Sequence, residues 1–345
     1  MVFAARGRNQ ETHPDDGHAH DPGRLFVRIR PRADASLPGV EAAAMNTAGI
    51  GELTASDKSW AYVVLTKPDV TFLVVITTIS GFYLGTHGPM NWTLLLHTLA
   101  ATMFVAGGTA ALNQYIERDL DAAMRRTAAR PLPSGILQPR EVLAFGLGTL
   151  VLGTLWLALG VNLLSAFTAL ATSLLYLGLY TPLKKRTPLA TAVGAFPGAL
   201  PPLIGWAAAR GSLSRDAWVL FAILFFWQFP HFLSIAWIYR EDYARAGIRM
   251  LPVVDRSGDL TFRQIVVMSA ILVPVSLLPA VIGLAGIRYF FAALVLGMIL
   301  LQFSLWAARH RTNTRAKWLM HATVAHIPLL LGFMIFDKLS SSFHL

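Results

Sequence analysis

The sequence has no cysteine and little charge: Asp, Glu, Lys and Arg make up 14% of its 345 residues. The lack of cysteine excludes disulfide bridges, thiolate metal sites, iron–sulfur clusters and a cysteine nucleophile. Soluble domains carry roughly 25% charged residues, whereas this chain is 54% hydrophobic and has a mean hydropathy of +0.52. This composition excludes a water-soluble globular enzyme and predicts a protein that folds in lipid.

Several catalytic motifs are also missing. The sequence contains no GxxxxGK phosphate loop, no HExxH, no GxSxG and no GxGxxG after a strand pattern. These motifs carry nucleotide binding, zinc-dependent proteolysis, serine hydrolysis and dinucleotide binding, respectively. Their absence argues against an ATP-driven pump, a zinc protease, a serine hydrolase and a dinucleotide-dependent enzyme.

The first 58 residues differ in composition from the rest, because arginines alternate with acids and Pro and Gly are scattered between them. Such a segment cannot bury enough apolar surface to fold alone, so we expect a disordered polar N-terminal extension at 1–58. It lacks the apolar stretch of a secretory signal and is richer in acids than a transit peptide. Met45, after which the sequence becomes more ordinary, is an alternative start of translation that N-terminal sequencing of the native protein would test.

From Pro68 onward, apolar segments of about 18–22 residues recur, each long enough to cross a hydrocarbon core of roughly 30 Å. Nine such segments lie near residues 69–86, 92–112, 143–160, 162–180, 189–208, 216–238, 265–285, 289–307 and 318–336. Only helices satisfy their backbone hydrogen bonds segment by segment in lipid. We therefore predict that residues 59–340 form an all-α, polytopic membrane bundle of about nine transmembrane helices.

Lys and Arg are concentrated in the connections that follow the second, fourth, sixth and eighth segments. The other connections hold only Arg210, Arg215 and Arg288. Basic connections remain on the cytoplasmic side of a membrane, so we expect a cytoplasmic N-terminus. The formal net charge of +10 then reflects topology rather than a nucleic-acid partner, which would require the basic residues to share one soluble face.

Three oxygen-bearing side chains, Asn113, Glu117 and Asp121, follow one another at intervals of four residues where the second segment ends. If the helix continues through them, they form one stripe about 12 Å long. A carboxamide and two carboxylates are hard ligands that suit Mg²⁺ when positions remain for water and phosphate oxygens. Arg126 and Arg130 follow closely and are candidates to neutralise that phosphate. The alternative is that the acids merely pair with arginines at a membrane edge.

A second polar cluster follows the sixth segment, where Glu241 and Asp242 precede Arg245. Two acid-rich helix ends that face one cavity would hold a diphosphate through Mg²⁺, with Arg245 as an anion clamp. The alternative is a solvated helix end. Lys184 and Lys185, after the fourth segment, are further candidates for diphosphate contact or serve only as topology signals.

His231 lies inside the sixth segment, in the sequence Trp227-Gln-Phe-Pro-His-Phe232. A histidine in such a segment is usually a hydrogen-bonded polar residue, and the alternative is a ligand of haem iron. Gly and Pro residues interrupt the fifth segment, where they allow close helix approach and kinks that open cavities.

Taken together, these motifs resemble the UbiA-type intramembrane prenyltransferase superfamily, and specifically its haem-specific branch. The first aspartate-rich motif, N-x-x-x-D/E-x-x-x-D, matches Asn113, Glu117 and Asp121, and its extension D-x-x-M-x-R-T-x-x-R-P-L runs from Asp121 onward. The haem-specific branch is similar in W-Q-x-P-H-F, in R-x-D-Y-x-x-x-G-x-x-M-L-P-V, in Y-T-P-L-K and in G-A-x-P-P-x-x-G-W. These patterns begin at residues 227, 240, 180 and 198, respectively. The chain departs from the family in Glu117, where Asp is commoner, and in a second motif without D-x-x-x-D.

The resemblance implies transfer of a farnesyl group from farnesyl diphosphate to a vinyl group of haem b, which gives haem o and releases diphosphate. It implies a bacterial inner-membrane enzyme whose active site is cytoplasmic, with a downstream haem A synthase or oxidase as a further partner. Its catalytic and Mg²⁺-binding residues would be Asn113, Glu117, Asp121 and Asp242, with Glu241 as another metal ligand. Its diphosphate-binding residues would be Arg126, Arg130, Lys184, Lys185 and Arg245. The candidate for haem is His231, from its position inside the sixth segment.

Other functions remain open from the sequence. A quinone precursor could be prenylated at the same diphosphate site, although the haem-type motif and the lack of an evident group for an aromatic carboxylate weigh against it. A transporter of a phosphorylated lipid or anion would carry polar groups near the membrane midplane and often inverted repeats. Here the carboxylates gather at one face and no clear repeat is present. An assembly factor for an oxidase is the third alternative.

Overall fold

The computed structural model of the protein describes residues 55–342, and this part of the chain is helical outside its turns. In chain order the α-helices are α1 (Ala55–Leu65), α2 (Pro68–Gly85), α3 (Trp92–Ala123), α4 (Pro139–Gly160), α5 (Leu163–Leu174), α6 (Thr181–Leu183), α7 (Ala190–Ala199), α8 (Pro201–Arg210), α9 (Arg215–Ile238), α10 (Arg240–Arg245), α11 (Leu251–Val254), α12 (Asp259–Val281), α13 (Ile287–His310) and α14 (Asn313–Ser342). A π-helical turn, Leu175–Tyr180, joins α5 to α6.

Nine membrane-spanning segments were predicted, and within residues 55–342 nine segments are long and apolar enough to cross a membrane. Seven are the single helices α2, α3, α4, α9, α12, α13 and α14. The other two are composite: Leu163–Leu183 contains the π-helical turn, and Ala190–Arg210 contains α7 and α8. The prediction of a polytopic all-α bundle is therefore confirmed.

The predicted N-terminal extension lies outside the described residues up to residue 54, and its last residues form the first turn of α1. The helix extends this far because Ala61 and Leu65 are buried in an apolar cluster with Leu137, just before α4, and Val142, in its first turns. Helix α1 precedes the first span and packs against α3. It therefore lies at the same end of the bundle as the end of α3.

Helix α3 positions the candidate site because it extends beyond its apolar segment. It begins after Asn91, whose side-chain oxygen accepts a hydrogen bond from the Leu94 backbone nitrogen at 2.9 Å, a common N-terminal cap. With 32 residues it is about 48 Å long, which exceeds a hydrocarbon core of roughly 30 Å. The sequence-based segment ended at residue 112, and the helix continues to Ala123. The Asn113–Asp121 stripe lies on this extension.

Close packing of α2 against α8 depends on two glycines. A Cβ atom at Gly205 would lie 2.0 Å from the Thr78 carbonyl oxygen, and one at Gly81 would lie 1.9 Å from the Pro202 carbonyl oxygen. Small residues let membrane helices approach in this way. The Gly- and Pro-rich composition of the fifth segment predicted an interruption, and the segment divides into two helices at Leu200, directly before Pro201 and Pro202.

The last span closes the bundle against the first. Lys338 in α14 donates hydrogen bonds of 2.8–3.0 Å to the carbonyl oxygens of Tyr83, Leu84 and Thr86, where α2 ends. Its neighbour Asp337 accepts a hydrogen bond of 3.1 Å from the backbone nitrogen of Tyr289, in the first turn of α13. A cation therefore lies at a helix C-terminus and an anion at a helix N-terminus, which favours both helix dipoles.

Candidate active site

Asn113, Glu117 and Asp121 lie on one face of α3, as their spacing predicted, and all three are buried. Their exposed fractions are 1%, 7% and 1%. Asp119, on the opposite side of the helix, has a side chain that is 87% exposed. Buried charged groups need partners, since their desolvation is costly. The stripe is therefore an internal polar site rather than a solvated helix end.

Two of the predicted diphosphate ligands neutralise the stripe. The Lys184 ammonium lies 2.7 Å from Glu117 Oε1, and the Arg130 guanidinium lies 2.7 Å from Asp121 Oδ2. Lys184 comes from the connection after the fourth span and Arg130 from the connection after α3. Two connections that were predicted to share one face of the membrane thus converge on one set of acids.

A third cation, Lys67, was missed by the sequence analysis. Its Nζ donates a 2.9 Å hydrogen bond to Asn113 Oδ1. It lies between α1 and α2 with a φ of 48°, in the left-handed region that residues other than glycine rarely adopt. The available signal was a Lys-Pro pair directly before the first apolar segment.

The environment shifts the pKa values of both lysines. Burial, with the positive charges of Arg130 and Lys184, lowers the pKa of Lys67 to about 7. For Lys184, burial alone would lower the pKa, but Tyr180, Tyr176 and the Glu117 carboxylate outweigh it and raise the pKa above its ordinary value. Lys184 is thus a permanent cation in the site, whereas Lys67 gains or loses its proton near neutral pH.

The π-helical turn fixes the amide of Asn113. An extra residue in this turn allows the Tyr176 carbonyl oxygen to accept from both the backbone nitrogen and the hydroxyl of Thr181, the latter at 2.9 Å. The Thr181 oxygen in turn accepts a hydrogen bond of 3.3 Å from Asn113 Nδ2. Single π-helical turns often occur at functional sites. Here the turn orients a side chain of the stripe.

The same turn presents an aromatic ring to the site. The Tyr180 ring centroid lies 4.4 Å from Lys184 Nζ and 5.1 Å from the ring of Tyr176. Tyr180 also packs against Gly194, where a Cβ atom would approach the ring to 2.6 Å. The Y-T-P-L-K motif thus brings the Tyr180 ring, the Thr181 hydroxyl and the Lys184 ammonium together beside the stripe.

The other predicted phosphate ligands are more exposed. Lys185 and Arg126 are exposed, and the guanidinium of Arg126 lies over the ring of Tyr239 at 4.8 Å. This contact links the connection after α3 to the end of α9. The backbone nitrogen of Arg249 also donates to the Lys184 carbonyl oxygen at 2.8 Å. The three connections therefore adjoin one another at this end of the bundle.

The second acidic cluster lies in the short helix α10. Asp242 is half-buried and forms an ion pair with Arg245, three residues later, while Glu241 is exposed. Tyr243 packs in a small apolar cluster with Met124, at the end of α3, and Ile248. The structure therefore brings the second cluster beside the end of the first.

The donor set of the stripe fits a shared metal site. Within residues 55–342, no group of three His, Asp or Glu side chains lies close enough to hold a metal ion by itself. Mg²⁺ is usually held by one or two carboxylates together with water and substrate phosphates rather than by a protein cage. One amide oxygen and two carboxylates, with cations already beside them, match that arrangement.

His231 lies apart from these charges. It is in α9, eight residues before Tyr239, which is roughly 12 Å along the helix axis. Its ring stacks on Trp227, with 4.8 Å between centroids and 14° between planes. Its Nδ1 lies 2.8 Å from the Thr323 hydroxyl of α14. The ring thus lies inside the bundle, deeper than the acidic clusters.

Comparison with known proteins gives consistent results. Residues 74–327 match the model of the UbiA prenyltransferase family. A relative from Solibacter usitatus, named protoheme IX farnesyltransferase, is 50% identical over 286 residues, which cover 80% of this chain and 98% of the relative. A relative of the same name from Koribacter versatilis is 48% identical over 80% of this chain and 93% of its own length.

Solved structures share the fold. A digeranylgeranylglyceryl phosphate synthase superimposes with a TM-score of 0.68 and 17% identity, over 81% of this chain and 98% of that protein. A UbiA homologue from Archaeoglobus fulgidus, solved with GPP and Mg²⁺, gives a TM-score of 0.57 and 15% identity, over 79% of this chain and 99% of that protein. At these identities the likeness concerns the arrangement of helices.

Proposed function

Since this chain belongs to the UbiA prenyltransferase family, we propose that it transfers a farnesyl group from farnesyl diphosphate to a vinyl group of haem b, forming haem o and diphosphate. The observation that carries the proposal is the convergence of three cations on the buried Asn113–Asp121 stripe. The names of its relatives and the haem-type motifs at residues 227–232 and 240–253 support haem as the acceptor.

The charges at the stripe are suited to release of a diphosphate. Cleavage of the allylic C–O bond concentrates negative charge on the leaving oxygen, and fixed positive groups stabilise such charge. Lys67, Arg130 and Lys184 supply this charge beside the buried stripe. We propose that Arg130 and Lys184 exchange their carboxylate partners for diphosphate oxygens when the substrate binds.

Magnesium is proposed as the cofactor. Asn113, Glu117 and Asp121 would hold one ion, and Asp242 with Glu241 would contribute to a second. When bound, Mg²⁺ supplies further neutralisation of the diphosphate charge. Arg245, Arg126 and Lys185 lie at the more exposed side and would bind the outer phosphate oxygens.

The aromatic rings beside the stripe are suited to stabilise the allylic cation, which is the other product of C–O bond cleavage. Aromatic faces attract cations, and Tyr176 and Tyr180 adjoin Lys184. In the proposed reaction, C1 of the farnesyl group bonds to the terminal vinyl carbon as its bond to the diphosphate oxygen breaks. Water then adds to the inner vinyl carbon and loses a proton, which leaves a hydroxyl group on the product.

We further propose that the protein lies in a bacterial inner membrane with its N-terminus and active site at the cytoplasmic face. The distribution of Lys and Arg among the connections supports this orientation. Haem o would pass to a haem A synthase or a terminal oxidase in the same membrane.

The proposal is tested with the purified protein in lipid nanodiscs, supplied with haem b, farnesyl diphosphate and Mg²⁺. Mass-resolved chromatography should detect a haem product heavier by one farnesyl group and one hydroxyl group, and chelation of Mg²⁺ should abolish it. Binding of farnesyl diphosphate without any haem product would contradict haem as the acceptor. Quinone-type acceptors would then be assayed at the same diphosphate site.

A further inference from the structure

One hydrogen bond between α9 and α14 determines which nitrogen of His231 carries a proton. The His231 Nδ1 atom and the Thr323 Oγ1 atom are 2.8 Å apart. Thr323 Oγ1 also lies 2.6 Å from the backbone carbonyl oxygen of Met320, to which its hydroxyl donates. A hydroxyl has a single proton, so Thr323 can only accept from His231. The hydrogen on the ring is therefore on Nδ1.

The other ring nitrogen, Nε2, then carries a lone pair. A charged imidazolium would be costly in an apolar bundle, so the ring is neutral. Among residues 55–342, no hydrogen bond engages His231 Nε2, and His231 is only partly buried, in contrast to the buried Nε2 of His326. His231 thus presents a Lewis base inside the membrane-spanning part of the molecule.

Trp227 restrains the plane of this ring. Its indole stacks on His231, and its Nε1 donates a 2.8 Å hydrogen bond to the Thr323 carbonyl oxygen. Thr323 is itself fully buried. Thr323 therefore binds both His231, through its hydroxyl, and Trp227, through its carbonyl oxygen. These contacts fix the direction of the His231 Nε2 lone pair before a ligand binds.

We propose that His231 Nε2 binds the iron of the porphyrin acceptor, and that Thr323 is a positioning residue that sets the tautomer and orientation of His231. A metal-bound histidine usually donates its second ring N–H to an oxygen atom, which fixes its tautomer. The inference rests on the proposed function, because haem is its ligand. Iron at His231 would lie deeper in the bundle than the diphosphate-binding residues, and the reacting vinyl group lies at the edge of the porphyrin.

Two porphyrins separate ligation of iron from general packing. Haem b and metal-free protoporphyrin IX are titrated into the full-length protein in nanodiscs, and absorption spectra are recorded for ferric and ferrous haem. His231→Ala should abolish the histidine-ligated spectrum and weaken haem binding, while the affinity for metal-free protoporphyrin IX stays unchanged. In His231→Gly, added imidazole should restore the spectrum even if the substitution affects stability.

Thr323 is tested by two substitutions of similar size. Thr323→Val removes the hydrogen bond and should weaken haem binding by about 10-fold or more, the usual range for a partner of a metal-bound histidine. Thr323→Ser keeps the hydroxyl and should bind haem as the unaltered protein does. His97→Ala is the matched control, since His97 lies on α3 and accepts a hydrogen bond from Trp156 at the bundle surface.

The proposal is overturned if His231→Ala leaves the haem spectrum and affinity unchanged, or weakens both porphyrins equally. It is also overturned if the unaltered protein binds no haem. Farnesylated haem formed by a protein whose spectrum does not depend on His231 would refute ligation alone. A His231-dependent haem spectrum without any farnesylated product would support ligation and refute the proposed reaction.

Discussion

The Thr181 hydroxyl determines which end of the Asn113 amide faces the candidate metal site. Thr181 donates its proton to the Tyr176 carbonyl oxygen at 2.9 Å and accepts from Asn113 Nδ2 at 3.3 Å. The Asn113 oxygen is therefore turned toward Lys67, which lies 2.9 Å away. If the Asn113 amide were flipped by 180°, its NH₂ group would face Lys67, and neither Lys67 nor a metal ion at this position would find an acceptor oxygen.

Removal of this hydroxyl should weaken metal binding while the fold is retained. We expect Thr181→Val to raise the Mg²⁺ concentration for half-maximal activity by about 10-fold, within the range found for outer-shell partners of metal ligands. Titration with Mn²⁺, followed by electron paramagnetic resonance, measures the same affinity without turnover. Thr181→Ser should behave as the unaltered protein. Thr154→Val is a control, because its hydroxyl bonds only to its own helix at Leu150.

The carboxylate of Asp121 should be essential for transfer but not for membrane insertion. Asp121→Ala removes a proposed Mg²⁺ ligand and leaves Arg130 without its 2.7 Å partner. We expect farnesyl transfer to fall below detection in the haem product assay. Asp119→Ala, on the exposed side of the same helix, should retain activity. Normal turnover by a correctly inserted Asp121→Ala protein would exclude the stripe from the site.

Binding of the diphosphate substrate should depend on pH through Lys67. Its pKa is lowered to about 7, so the side chain is a cation below that pH and loses its charge as the pH rises through it. The affinity for a non-hydrolysable farnesyl diphosphate analogue should therefore fall between about pH 6 and pH 8. Lys67→Arg keeps its charge over this range and should show a flatter profile.

Titration of the diphosphate itself affects both proteins equally, so the difference between the two profiles isolates Lys67. Lys67→Met should bind weakly at every pH and show the flatter profile as well. Identical profiles for the unaltered protein and Lys67→Arg would contradict a role for this lysine in the pH dependence.

A methyl group at Gly205 should separate α2 from α8. Its Cβ atom would lie 2.0 Å from the Thr78 carbonyl oxygen, and backbone atoms cannot move aside without shifting a helix. We expect Gly205→Ala to lower the melting temperature of the protein in nanodiscs markedly. Gly178→Ala, where no atom lies within 4 Å, should change it little. Equal melting temperatures would show that the helices adjust without cost.

The spans and the stripe could be predicted because each depends on local pattern. Length and hydropathy identified all nine spans, and a four-residue spacing identified Asn113, Glu117 and Asp121. The role of Lys67 could not be predicted, since its contact with Asn113 crosses 46 positions and needs a left-handed backbone. The π-helical turn could not be predicted either, because one residue added to a helix produces no recognisable pattern of hydrophobic residues.

The choice between neighbouring basic residues also required the fold. The sequence offered Lys184 and Lys185 alike, and only packing shows that Lys184 is buried against Glu117 while Lys185 is exposed. Likewise, His231 could be read as core or as ligand. The hydrogen bond to Thr323, from a span 92 positions later, is what distinguishes its two nitrogens.

The contacts of Lys338 with the end of the first span can form only after the last span has been synthesised. The carbonyl oxygens at the end of the first span receive their cationic partner from the ninth. During synthesis, the first span therefore lies in the bilayer without this cationic partner while seven others enter. Closure of the bundle is a late step that depends on the far end of the chain, and a ribosome stalled before residue 338 leaves the first span without its anchor.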